Sequence, residues 1–507
     1  MAGSMHGGVQ KQKTGITGLD LISHGGFSRG RSTLVSGTAG SGKTVLAAQF
    51  LAEGIAKSGE HGVFVTCEEP PEDICDNLAS FGWDIRGWER ENRWVFVDAS
   101  QPVGDESVII GAYDLGALIA RIEAAVRKVG AKRVSIDSLG AIFSRFDDGV
   151  VRNELRRIAA VLKRLDVTVV MTSERTEEYG AIARHGVEEF VADNVVILRN
   201  VLEEEKRRRT IELLKFRGTS HQKGEFPFTI IPGQGIVVIP LSAMELKQKS
   251  SNVRITSGVP ELDAMCGGGF FRDSIILVSG ATGTGKTLTV THFLSGGIAA
   301  GERCLLFAFE ESREQLFRNA DGWGVDFGAM EHDGRLRVVC AYPEVASLDE
   351  HLIGIRAAIE EFRPTRVAVD SLSAMERVSS TKSFREFVIG LTSFIKHQEI
   401  AGLFTSNTPS LLGGSSVTES HISTITDSII MLRYVEMFGE MRRGLTVLKM
   451  RGSMHDKVIR EFNIDHAGMH IGKPFRNVSG ILSGNPVHFA ESEADRVAAL
   501  FRDTEVP

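Results

Sequence analysis

The stretch Thr14–Phe50, TGITGLDLISHGGFSRGRSTLVSGTAGSGKTVLAAQF, has a partner 243 positions later in Ser257–Phe293, SGVPELDAMCGGGFFRDSIILVSGATGTGKTLTVTHF. The two align without a gap. The similarity continues in order, with Phe64–Glu69 (FVTCEE) against Leu306–Glu311 (LFAFEE) and Val134–Ser138 (VSIDS) against Val367–Ser371 (VAVDS). Late in each half, Leu214–His221 (LKFRGTSH) matches Leu448–His455 (LKMRGSMH). A period this long is too large for a solenoid unit. It describes two copies of a whole domain.

Within each half, short β-branched runs such as Val134–Ile136 and Val167–Met171 alternate with stretches of helical apolar spacing, Leu115–Val129 and Asn153–Leu165. Strands alternating with helices predict an α/β domain with a mainly parallel sheet covered by helices on both faces. The predicted layout is a loose N-terminus over residues 1–13, one domain over 14–245 and a linker over 246–256. A second domain follows over 257–470, then a C-terminal loop and tail over 471–507.

Both halves carry the G-x-x-x-x-G-K-[ST] pattern after an apolar strand and before a helical run: Gly37–Thr44 (GTAGSGKT) and Gly280–Thr287 (GATGTGKT). Glycines let successive backbone N–H groups curl around phosphates, and the following helix presents its positive end. The candidate ATP contacts in the first half are Gly37, Thr38, Ala39, Gly40, Ser41, Gly42, Lys43 and Thr44. In the second they are Thr282, Gly283, Thr284, Gly285, Lys286, Thr287 and Leu288. Lys43 and Lys286 are expected on the β- and γ-phosphates, and the Thr44 and Thr287 hydroxyls on Mg²⁺. Asp137 and Asp370 end apolar strands, where a carboxylate supports the metal or its waters, although a helix N-cap reads the same way. Glu68–Glu69 and Glu310–Glu311 end the strand after the P-loop helix, at the rim of the ligand crevice. A carboxylate there can orient or deprotonate an attacking water or hydroxyl. Neighbours on a strand point opposite ways, so one of each pair is expected to be better aimed. Lys215, Arg217, Lys449 and Arg451 lie where a ring ATPase offers cations to the γ-phosphate of a neighbouring subunit; ordinary basic residues of an exposed strand are the alternative.

Composition agrees with two domains. The 507 residues exceed what one core supports, and 42% hydrophobic with 24% charged residues is ordinary for a globular protein. The net charge of −7 disfavours a nucleic-acid coat. Cys67, Cys75, Cys266, Cys304 and Cys340 show no metal-ligand spacing and fit reduced thiols. No apolar run is long enough to span a membrane and no leader is apparent, so a cytoplasmic location is expected.

These motifs, with Asp370–Met375 (DSLSAM), Glu189–Glu203 (EFVADNVVILRNVLE), Met265–Leu277 (MCGGGFFRDSIIL) and Glu419–Ile430 (ESHISTITDSII), resemble the KaiC family of circadian clock proteins. The resemblance runs from about residue 14 to about 485. It implies two tandem RecA-like P-loop NTPase domains stacked as the two tiers of a homohexamer, with ATP and Mg²⁺ between neighbouring subunits. It further implies that the N-terminal ring is a slow ATPase using Glu68 and Glu69. The C-terminal ring is implied to be a serine/threonine autokinase and autophosphatase using Glu310 and Glu311, with Glu310 also at the metal and Arg377 near the transferred phosphate. Ser423 and Thr424 fall at the two phosphorylation sites, beside Thr418. Further nucleotide contacts carried by the resemblance are Ser80, Phe216, Thr219, His221, Trp323, Arg443, Met450, Ser453 and His455. A KaiB-like protein on the N-terminal ring and an output histidine kinase are the implied partners. The tail from Lys473 only partly follows the family's C-terminal loop, which argues against regulation by KaiA. Met454 also departs, standing where the family often has Trp.

The duplication supplies a control of its own. Counting back from Lys449 to Lys215 sets Ser423 opposite Glu189 and Thr424 opposite Phe190. The first half offers no hydroxyl where the second offers two, which confines autophosphorylation there to the C-terminal domain. Two other function classes compete: a nucleic-acid motor, disfavoured by the acidic balance, and a scaffold assembled by ATP without kinase activity, disfavoured by the glutamates present in both halves.

Overall fold

The computed structural model describes residues 9–100, 115–143, 148–183, 188–203, 206–240, 250–408, 424–437, 439–476, 478–481 and 487–488. The chain divides into two compact units, Met1–Glu245 and Leu246–Pro507. Each contains a nine-stranded sheet of the same topology. In the first unit the order is Gly235–Val238, Glu225–Ile231, Lys206–Phe216, Asn194–Glu203, Ser32–Gly37, Thr168–Glu174, Arg133–Asp137, Gly62–Thr66, Trp94–Asp98. The six strands from Asn194–Glu203 to Trp94–Asp98 are parallel, and the other three add antiparallel at one edge. The second unit repeats this around Ile275–Gly280, flanked by Ala401–Asn407 and Ser428–Met437.

Alternation along the strands divides the first unit's core between the two faces of its sheet. Leu34, Val63, Val65, Val134, Ile136 and Val169 pack with residues of helices Leu115–Val129 and Asp148–Arg164. Val35, Phe64 and Val170 pack with the P-loop helix Lys43–Ser58. These are the helices and strands that periodicity predicts, with the second helix starting earlier than Asn153. The N-terminal unit also reaches back past residue 14, because Lys11–Gln12 pairs with Phe27–Ser28 and the Lys13 carbonyl accepts from Arg133. In the second unit, Arg254–Ile255 pairs with Phe270–Phe271, and the last long strand runs over Gly468–Pro474.

One unusual device appears in both cores. Arg133 and Arg366 are buried at the start of equivalent strands. Arg133 meets Glu60 at 2.6 Å and donates to the Phe50 and Lys13 carbonyls, both at 2.8 Å. Arg366 pairs with Glu302 and donates to the Thr256 and Phe293 carbonyls at 2.6 and 2.9 Å. The guanidinium thus joins the P-loop helix to the strand beneath it. Room for it comes from Gly54 and Gly297, where an added Cβ would stand 2.3 and 2.5 Å from the arginine Nε. Gly297→Ala is therefore expected to destabilise the C-terminal unit by about 1–3 kcal/mol through overpacking, read as a lower urea midpoint. A midpoint equal to that of the parent chain would show that the guanidinium is not clamped there.

Candidate functional site

Each P-loop turns from the carboxyl end of its central strand into a helix. Gly40 and Gly42, like Gly283 and Gly285, take left-handed φ values, which a side chain would strain. Lys43 Nζ donates to the Thr38 carbonyl at 3.0 Å and Lys286 Nζ to the Ala281 carbonyl at 2.9 Å, so each lysine lies along the loop that it would serve. Burial pushes both ammonium groups below their ordinary range, opposed by neighbouring carboxylates that include Asp137 and Asp370 respectively. Ser41 and Thr284 close the loops through their hydroxyls onto the same carbonyls, at 2.8 and 2.7 Å.

The strand-end aspartates face these loops. Thr44 Oγ1 donates to Asp137 at 2.8 Å and Thr287 Oγ1 to Asp370 at 2.7 Å. Thr172 and Thr405 donate to the other oxygen of each. A hydroxyl and a carboxylate oxygen side by side are hard ligands, and such a pair fits Mg²⁺ that keeps most of its waters and binds substrate phosphates. Burial pushes both carboxyls up, against the pull of the threonine hydroxyls. An aspartate that merely capped a helix would not be held this way.

The paired glutamates do diverge. Glu68 accepts from Ser138 Oγ, whereas Glu69 accepts from Asn77 at 2.9 Å. In the second unit Glu310 accepts from Ser371 Oγ at 2.8 Å and Glu311 from Asn319 at 3.1 Å. The first glutamate of each pair therefore lies beside the residue following the strand-end aspartate, and the second turns toward a helix. Glu310 has one further partner, Arg377, at 2.8 Å. The position matching Arg377 in the first unit is Ser144, outside the described residues. Glu311 is half-buried, and burial followed by the Asp370 charge pushes its carboxyl up. Ser138, Ser371, Asn77, Asn319, Thr172 and Thr405 were not singled out from sequence. Their signal was recurrence at equivalent positions of the two halves.

The late cations lie at the other end of the sheet. Lys215 pairs with Val195, which is opposite Leu34, near the start of the strand that delivers the P-loop at Gly37. Thr33 to Gly37 alone spans ~13 Å of extended strand. Lys215 Nζ donates to the Glu189 and Ala192 carbonyls at 2.7 and 2.9 Å, and Arg217 Nη2 to the Phe190 carbonyl at 3.1 Å. In the second unit Lys449 donates to the Thr426 carbonyl at 2.8 Å and Arg451 to the Thr424 carbonyl at 2.6 Å. Both hairpins carry a register shift at the same place, with Leu214 or Leu448 as the extra residue. Such bulges re-aim the side chains that follow. Thr424 is exposed, as is Phe190. Ser423 and Thr418 lie outside the described residues, as does most of the tail after Ile481.

Three of the candidate contacts have side chains in the core: Phe216, Met450 and Leu288. Any contact they make with a ligand is through backbone. His221 is half-buried against the Phe216 ring, and burial pushes its imidazole down. Ser80 is exposed in the turn Ala79–Phe81, and Trp323 ends helix Arg313–Gly322, partly packed on the core. Thr219 donates to the Ser220 carbonyl, Ser453 donates to the Met454 carbonyl and accepts from Arg254, and His455 is half-buried. Met454 is 91% exposed. Arg443 lies over Tyr434 at 5.7 Å. Arg209, its counterpart, donates to the P-loop carbonyl of Gly40 at 3.3 Å and was not among the predicted contacts.

The buried carboxyls carry a consequence for stability. Because the folded protein raises the Asp370 carboxyl, it holds that proton to higher pH than the unfolded chain does. The contribution of this group to stability therefore falls as pH rises through and above the ordinary carboxylate range. Asp370→Asn is expected to stabilise the nucleotide-free protein at neutral pH by about 1 kcal/mol, and to remove the added stabilisation by ATP with Mg²⁺. Thermal melts with and without nucleotide measure both effects. A variant that still gains the full shift with ATP and Mg²⁺ would exclude Asp370 from metal support.

Among the described residues, no helix is long and apolar enough to cross a membrane. The family model described as "ATPase: KaiC" matches the chain twice, over residues 12–243 and 255–475. The circadian clock protein KaiC3 of Synechocystis sp. is 69% identical over 495 residues, covering 97% of this chain and 98% of that protein. The circadian clock oscillator protein KaiC of Parathermosynechococcus lividus is 56% identical over 98% of this chain and 92% of its own length. Its namesake in Synechococcus elongatus is 55% identical over 99% and 96%. Two matched α/β ATPase units and identity of this extent along nearly the whole chain have one reading: the protein belongs to the KaiC family of circadian clock proteins.

Proposed function

We propose that this chain is an ATP-driven timer. Its N-terminal unit hydrolyses ATP, and its C-terminal unit transfers phosphate to and from Ser423 and Thr424, in a homohexamer that completes each nucleotide site between neighbours. One observation carries the reading. Equivalent arginines bond equivalent carbonyls in the two units, but the residue bearing the carbonyl is Phe190 in one and Thr424 in the other. A phenyl ring cannot accept a phosphoryl group, whereas a threonine hydroxyl can. The Thr424 carbonyl is bonded to a cation at the far end of the sheet from its own P-loop. The phosphate it receives therefore comes from a neighbouring chain.

In this scheme Lys43 and Lys286 hold the β- and γ-phosphates, with Mg²⁺ on Thr44 and Thr287 backed by Asp137 and Asp370. The metal supplies charge neutralisation on the phosphate oxygens. In the C-terminal ring Glu310 takes the proton from the acceptor hydroxyl as the new O–P bond forms. The bond to the β-phosphate oxygen breaks and ADP leaves. Arg377 restrains Glu310 and stands near the transferred group. Lys449 and Arg451 of the adjacent chain meet the γ-phosphate charge, which is the part a cation in trans plays in phosphoryl transfer. In the N-terminal ring Glu68, next to Asp137, orients water instead, with Glu69 supporting it. Added phosphate brings about −1.5 to −2 charge beside Arg451 and Asp427, which are 3.5 Å apart. That is the physical basis of a slow switch. A KaiB-like protein reading the N-terminal ring and a histidine kinase as output complete the proposal.

Mass-spectrometric mapping of purified protein incubated with ATP and Mg²⁺ is expected to find phosphate on Ser423 and Thr424 and none on the N-terminal unit. Glu310→Gln should slow incorporation by about 10²–10⁴-fold; incorporation at the parent rate would remove it as the base. The inter-chain part has its own test in rings co-assembled from Lys286→Ala and Arg451→Ala chains. Each variant alone is expected to be silent. In the mixture, label should appear on the Lys286→Ala chains. A mixture as silent as its parts would refute transfer between subunits.

A further inference from the structure

The N-terminal unit has a cleft of ≈ 390 Å³ at the amino end of its sheet, away from the P-loop. Arg31, Arg156, Lys163 and Arg217 line it. Asp193 is the one carboxylate in the wall among the described residues, and the Phe190 ring stands at its edge. The helix Asp148–Arg164 sets Arg156 and Lys163 seven residues apart, two turns along one face. Both are exposed, and among the described residues neither forms an ion pair. Asp193 is already engaged by Arg217 at 3.8 Å, and Arg31 is fixed by donating to the Arg217 carbonyl at 2.9 Å. Four cations therefore converge on a concave surface with one shared carboxylate to balance them. Like charges that line one cleft repel, and a multiply charged oxyanion between them replaces repulsion with charge-assisted hydrogen bonds.

The second unit provides the comparison. Lys396, the counterpart of Lys163, binds Asp427 at 2.8 Å and neutralises it. Ser274 stands in place of Arg31 and Ile389 in place of Arg156. The same fold position has lost its excess of positive charge. A basic surface kept only for solubility has no reason to be concave, to border an exposed aromatic ring, or to be confined to one of two homologous units.

We infer that this cleft is a binding site for a phosphate group, specific to the N-terminal unit. A guanidinium fork matches tetrahedral oxygens in pairs, and the lysine adds a point charge. Arg217 forms one wall, and in the proposed ring it also meets the γ-phosphate of the neighbouring chain. The inorganic phosphate released there is then the ligand nearest to hand, and its retention would slow turnover. Only that link to hydrolysis rests on the proposed function. Binding itself does not.

The test is calorimetric titration of inorganic phosphate, and separately of AMP, into protein saturated with ADP and Mg²⁺, so that both P-loops are filled. Arg156→Ala and Lys163→Ala lie outside the catalytic machinery. Each is expected to weaken phosphate binding by about tenfold, the worth of one hydrogen bond to a charged group. Each should also move phosphate inhibition of ATP hydrolysis to correspondingly higher phosphate, with the uninhibited rate unchanged. AMP binding no tighter than phosphate would assign free phosphate as the ligand. Tighter AMP binding, lost in the same variants, would assign a phosphomonoester whose base uses Phe190. Absence of phosphate binding, or binding equal in parent and variants, would overturn the site. Failure of the chain to hydrolyse ATP would instead count against the proposed function and leave the calorimetric result to decide the site.

Discussion

The polarity of the parallel sheet is the constraint on which everything else depends. A strand that ends in a P-loop must deliver its glycines at the carboxyl end, and Gly37 and Gly280 are there. The cation pairs Lys215 with Arg217 and Lys449 with Arg451 are tied to carbonyls at the start of the adjacent strand. The length of the strand keeps the two groups apart within one unit. A unit of this kind is electrostatically directional, with a phosphate cradle at one end and cations at the other. Head-to-tail contact between copies brings the two ends together, and a heterologous contact of that kind closes into a ring when the rotation allows. The ring in the proposed function makes use of this separation.

Duplication then allowed the two units to diverge around an unchanged frame. The threonine–aspartate–threonine arrangement at Asp137 and Asp370 is the same in both, as are the serine and asparagine that fix the two glutamates. The differences lie around that frame, and they include Thr38, Ala39 and Ser41 of the first P-loop, which are Ala281, Thr282 and Thr284 in the second. Phe190 is replaced by Thr424, and Glu310 gains Arg377 as a partner. Asn200, which reaches the Gly40 carbonyl at 3.5 Å, is replaced by Tyr434, whose hydroxyl lies over Gly283. Metal and phosphate binding tolerate little change in geometry. In the proposed function, the choice between water and a side-chain hydroxyl as acceptor rests on a few neighbours.

Which parts could be read from sequence follows from the same division. The P-loops, the strand-end aspartates and the glutamate pairs were legible because their chemistry fixes both residue type and spacing. The parallel core was legible because β-branched runs between helical stretches leave few other topologies. The antiparallel edge was harder to read, since Lys206–Arg209 looks like a charge run and not like the start of the long strand Lys206–Phe216. The bulge at Leu214 and Leu448 leaves no mark in composition, yet it sets the direction of the cations after it. Binding stretches also mix roles. Phe216 and Met450 sit between cations in sequence but point into the core, because alternation along a strand sends neighbours to opposite faces. The helper residues Ser138 and Asn77 are ordinary polar residues singly, and only the second copy distinguishes them.

The P-loop helix illustrates how one position can keep its architectural task and change its chemistry. In the first unit Gln49 accepts from the Ile236 N–H at 2.7 Å and donates to the Ile236 and Gln234 carbonyls, joining the helix to the edge strand Gly235–Val238. In the second unit the equivalent residue is His292, whose Nε2 accepts from the Met469 N–H at 3.0 Å in the matching strand. An amide performs this task at any pH. An imidazole performs it only when neutral, since protonation removes the acceptor. Burial pushes His292 below its ordinary range, and His470 pushes the same way. The folded state thus prefers the neutral ring. Its contribution is complete above the ordinary histidine range and is lost as pH falls through and below it. The contact between nucleotide-binding helix and sheet edge is consequently indifferent to acid in the unit proposed to hydrolyse ATP, and sensitive to it in the unit proposed to phosphorylate itself.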